Sequence, residues 1–123
     1  MSTQSVLKNL QRLASDVPQL VGAAMFVEAE IEMTEAKKLT PVDLGNLRDT
    51  GHVQPPEYSG NEISVTMGFG GPAAPYALVQ HERLDYFHEV GQAKFLEQPL
   101  MEAAPFLAAR IAKRVNLAKA VSS

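Results

Sequence analysis

The chain has 123 residues, 46% of them apolar and 20% charged, and a formal net charge of −3, which suits one domain with a single shared core and is too short for two. Mild acidity gives no general electrostatic attraction to nucleic acid or to an anionic membrane. Cysteine is absent, which excludes a disulfide framework, a thiolate metal site and a thiol nucleophile, and no apolar run reaches signal-peptide or membrane-spanning length, so a soluble, non-secreted protein is expected.

Val6, Leu7, Leu10, Leu13 and Ala14 recur at helical spacing, with Lys8, Asn9, Gln11 and Arg12 on the other face, and this predicts a short amphipathic helix over 4–14. Asp16 and Gln19 have the spacing of a capping box, and Pro18 suits a first helical turn. A second helix is therefore expected over 17–39. Its predicted apolar stripe is Leu20, Val21, Ala24, Val27, Ile31 and Ala36, with Glu28, Glu32 and Glu35 on the other side. Pro41 disfavours helical geometry at Thr40 and ends it near Leu39.

The stretch TPVDLGNLRDTG has the punctuation of an ordered loop. Strands near 47–54 and 62–69 follow as a hairpin, joined by PPEYSGN. In the second, Ile63, Val65, Met67 and Phe69 alternate with Glu62, Ser64, Thr66 and Gly68, the period of a half-buried strand. From Gly68 to Leu100 neither a helical nor a strand period holds, so a long ordered loop is expected, functional rather than a plain linker. Its aromatic and aliphatic side chains need a surface to cover. Leu96, Leu100, Ala103, Leu107, Ile111, Val115 and Ala118 then restore a helical stripe, predicting a helix over 99–118 with a kink at Pro105. Arg110, Lys113, Arg114 and Lys119 load its last turns, where cations suit the helix dipole. A solvated basic end is favoured there over nucleic-acid binding, because no neighbouring aromatics offer a stacking platform.

The residues that could carry chemistry form no completed pattern. His81–Glu82 and His88–Glu89 repeat a pair that, with His52, could supply three imidazoles and two carboxylates to a divalent metal. The second histidine of a zinc-helix motif is missing in both cases, since Asp85 and Gln92 stand where it would fall. No serine sits in a Gly-x-Ser-x-Gly elbow, and Gly68-Phe69-Gly70-Gly71 leads into Pro72 rather than the lysine of a phosphate loop. No cofactor is expected.

Three stretches taken together carry a family resemblance: TPVDLGNLRDTGHV at 40–53, GFGGPAAPYALVQHE at 68–82 and HEVGQAKFLEQPL at 88–100. The ordered set resembles the small neck proteins of long-tailed bacteriophages, known as tail-component, minor capsid or head–tail connector proteins. Leu44 and Glu89 depart from the usual pattern, where a small polar residue and a proline are more common, and both bear on local turn geometry. The N-terminal helices match in pattern rather than in residues.

The resemblance implies an α+β unit, long N-terminal and C-terminal helices packed on a small, mainly antiparallel sheet with a long ordered loop. It implies a non-enzymatic virion protein that closes into a homo-oligomeric ring at the head–tail junction. Its partners would be further copies of itself, the connector or head-closure protein, and the tail terminator or tail tube protein, with genomic DNA passing through the lumen unread. An acidic channel surface would help that DNA slide. The expected interface residues are Phe69, Tyr76, His81, Tyr86, Phe87, His88 and Phe95. Alternatives are a tail-terminator or minor capsid role, a small metal-dependent enzyme using His52, His81, His88 and Glu82, or a regulator binding DNA through Arg110, Lys113 and Arg114.

Overall fold

The computed structural model describes residues 3–40, 45–60, 62–69, 74–80 and 94–122. In chain order these form α1 (Thr3–Asp16), α2 (Pro18–Leu39), the single turn α3 (Gly45–Arg48), β1 (His52–Val53), β2 (Glu57–Ser59), β3 (Glu62–Gly68), β4 (Ala74–Gln80) and α4 (Lys94–Ser122). The architecture is α+β, as expected: three long helices on a small antiparallel sheet.

One residue, Val17, separates the first two helices and is the N-cap of α2, with Pro18 in the first turn. The capping box expected from Asp16 does not form, because Asp16 is still the last residue of α1. Backbone groups do the capping instead. The Val17 N–H donates to the Leu13 carbonyl at 2.7 Å, and the Val17 carbonyl accepts from Leu20 and Val21, each at 3.1 Å. At its other end α2 stops where Pro41 requires: Thr40 is extended, and its hydroxyl donates to the Ala36 carbonyl at 3.0 Å.

β3 is the centre of the sheet. β4 runs antiparallel along one edge, with Val65 opposite Tyr76 and Ile63 opposite Val79. Both β1 and β2 pair with β3 as well, β1 at Met67 and Gly68 and β2 at Glu62 to Ser64. Since β4 pairs with β3 along that same span, β1 and β2 must share the opposite edge. The hairpin partner expected over 47–54 is thus much shorter: Leu47 and Arg48 belong to α3, and pairing is confined to His52–Val53 plus one bond from the Gln54 N–H to the Thr66 carbonyl at 2.8 Å. Pro55 and Pro56 have no N–H to donate, which interrupts the edge before β2 resumes it. Gly60, at φ +56°, supplies the left-handed residue of the return into β3.

The stretch expected to be a long loop is partly regular. Its residues 74–80 are β4, and α4 begins at Lys94 and runs unbroken past Pro105 to Ser122, longer at both ends than predicted. Leu78 is an unmatched extra residue in β4, since Ile63 pairs with Val79 and Ser64 with Ala77.

α2 packs against α4, β3 and β1, while α1 packs against α4 and α2. Leu10, Met25, Ile63, Met67, Leu107 and Ile111 are among the most deeply buried side chains, each contributing about 1.5–3 kcal/mol by leaving water. β3 alternates as predicted, with Ile63, Val65 and Met67 buried and Glu62, Ser64 and Thr66 half-buried. On α4, Leu107, Ile111 and Val115 of the predicted stripe are buried.

α2 is rotated relative to expectation. Its buried face is Val21, Ala24, Met25, Glu28, Ala29, Glu32, Met33 and Ala36. Val27 and Ile31, predicted for the core, are each 40% exposed, and Glu28 and Glu32, predicted for the other side, are buried. The reason for Glu28 lies on α4, where two arginines meet it.

Candidate functional site

Glu28 is 1% exposed at the middle of α2. A buried carboxylate has to be compensated, and α4 supplies the charge. Arg110, Lys113 and Arg114, at helical spacings of three and four, lie on one face of that helix. The Arg114 Nε–H donates to Glu28 Oε2 at 2.6 Å, a short charge-assisted bond. Arg110 Nη1 stands 3.9 Å from Oε1, too far for a hydrogen bond, and among the described residues Oε1 has no hydrogen-bond partner. The Arg110 guanidinium also lies 5.8 Å from the centroid of the exposed Phe106 ring.

Glu28, Arg110 and Arg114 line a cleft of about 480 Å³ between α2 and α4, completed by Ile31, Lys113 and Leu117. A second hollow, of about 390 Å³, lies on the other flank of α4 against Val6 and Asn9 of α1. Lys113 and Leu117 line both, so they form a ridge with a recess on either side. The cleft offers cations, one buried carboxylate oxygen without a donor, and apolar walls.

The residues expected at an interface distribute differently. Phe69 is buried in the chain's own core, where its ring fills space left open by Gly51: a Cβ there would lie 2.7 Å from Phe69 Cε1 and 2.9 Å from Met33 Sδ. In the single chain it is a core residue. Tyr76 lies in β4 opposite Val65, and Phe95 is the second residue of α4. His81, Tyr86, Phe87 and His88 lie outside the described residues, as does Glu82. His52 is half-buried in β1, with its Nδ1 2.9 Å from the Thr50 carbonyl. Among the described residues no three histidine or acidic side chains group as metal ligands, and no helix is long and apolar enough to cross a membrane.

Sequence reasoning missed the cleft because it placed Glu28 away from the core. A signal was present: Val21, Met25, Ala29 and Met33 step by four along α2, and Glu28 and Glu32 fall within the face they define.

A family model described as "Bacteriophage HK97-gp10, putative tail-component" matches residues 4–98. The chain belongs to this family. No match was found among curated proteins or among solved structures. Membership of the HK97-gp10-like family agrees with the resemblance carried by the three quoted stretches, and makes this chain a structural component of a phage virion. The matched range takes in α1, α2 and the sheet; Arg110, Lys113, Arg114 and Leu117 lie beyond it.

Proposed function

We propose that this chain is a non-enzymatic ring protein of the phage neck, joining the portal-proximal connector to the tail and leaving a lumen through which DNA passes unread. The observation that carries the proposal is the outer face of α2. Val27 and Ile31 are 40% exposed on a helix whose other face is already buried, and Phe106 and Leu117 of α4 are exposed as well. Exposed aliphatic side chains set among polar ones such as Glu30, Thr34 and Lys38 have the make-up of a protein contact surface. A ring needs heterologous contacts, in which one face of a protomer meets a different face of the next. The partners we propose are copies of itself, a connector or head-closure protein, and a tail terminator or tail tube protein, in keeping with a family described as a putative tail component.

The test is light scattering and negative-stain imaging of the purified chain, alone and with its neck neighbours, together with density for the intact particle. Discrete rings at the head–tail junction support the proposal. A chain that stays monomeric with every neighbour, or whose density lies elsewhere in the particle, overturns it.

A further inference from the structure

We infer that the α2–α4 cleft receives the acidic, aromatic segment 81–90, HERLDYFHEV, of a second copy of this chain. The inference rests on the ring proposal only in needing two copies to meet. Charge is the first argument. The cleft carries Arg110, Lys113 and Arg114 against Glu28, three positive and one negative, a balance of +2. The segment carries Glu82, Asp85 and Glu89 against Arg83, a balance of −2. Complementary potentials of this kind select a partner and its register.

The second argument is the lining. Ile31 and Leu117 give the cleft apolar walls, and the segment brings Leu84, Tyr86 and Phe87 among its carboxylates. Burying such side chains is favourable for a peptide and offers nothing to a phosphate.

A fluorophore-labelled peptide of residues 81–90, titrated into the full-length chain and followed by anisotropy, tests this without requiring a ring. Saturable binding that weakens with salt is expected. The double variant Arg110→Glu, Lys113→Glu should bind at least about tenfold more weakly; Arg114 is left in place so that Glu28 stays paired. A peptide with Glu82→Lys, Asp85→Lys and Glu89→Lys should lose binding to the native chain and regain it on the double variant, and that recovery also shows the variant is folded. No saturable binding to the native chain, or equal binding by native and reversed clefts, overturns the inference. A peptide that binds only a chain whose own 81–90 charges are reversed would mean that each chain fills its own cleft, which also overturns it. So would a short DNA duplex that displaces the peptide and binds the cleft more tightly. Particle imaging decides the ring separately, so the two proposals can fail independently.

Discussion

Removing either end of the Glu28–Arg114 bond should have unequal effects. Arg114→Ala strands a carboxylate that is 1% exposed, with Arg110 still 3.9 Å away, and should cost about 1–3 kcal/mol. That is less than for a fully buried pair, since the Arg114 side chain is 43% exposed and water can reach the gap. Glu28→Met keeps the volume and leaves Arg114 free to hydrate, so its stability should fall within about 1 kcal/mol of the native chain or above it. Urea unfolding of both variants checks the asymmetry, and the reverse order would refute it. Gly51→Ala is the other sensitive position, because its Cβ would press on Phe69 and Met33 in the core; thermal unfolding should show a loss of about 1–3 kcal/mol. Neither site could be read locally in the sequence. Glu28 and Arg114 are 86 residues apart, and Gly51 looks like any turn glycine until Phe69 is seen beside it.

α2 carries a buried face and a mixed outer face, on which Val27 and Ile31 are exposed beside Glu30, Thr34 and Lys38. Met25 is fully buried, so Met25→Ala should cost about 2–5 kcal/mol. Val27→Ser with Ile31→Ser should change stability by about 0.5 kcal/mol or less per site while weakening self-association, which denaturant titration and light scattering measure separately. The same helix shows where sequence pattern stops being informative. Apolar residues occur almost all around it, so periodicity alone could not say which face turns inward. β3 was legible because Ile63, Val65 and Met67 alternate without interruption. β4 was hidden for two physical reasons: Pro75 argues against a strand, and the extra residue Leu78 breaks the period of two. The start of α4 was similarly obscured by Pro99, whose fit to a first helical turn suggested a later beginning than Lys94.

At the scale of the whole molecule, assembly should depend on the outer helical surface and not on the core. Ile31→Glu with Leu117→Glu places charge on both walls of the α2–α4 cleft and should abolish rings in negative stain while leaving the unfolding midpoint within a few degrees of native. Rings that survive this change would move the contact to another face.

The sheet bears on the same question from the opposite side. One edge of β3 is covered by two short strands separated by Pro55 and Pro56, and the other by β4, with Pro75 opposite Thr66. None of these prolines has an N–H to offer an incoming strand. Copies that added strand to strand would grow into open filaments, whereas the proposed ring has to close. With proline at both borders of the described sheet, that route is discouraged, which leaves the proposed self-association to side chains on the helices, whose shape and charge can limit how many copies join.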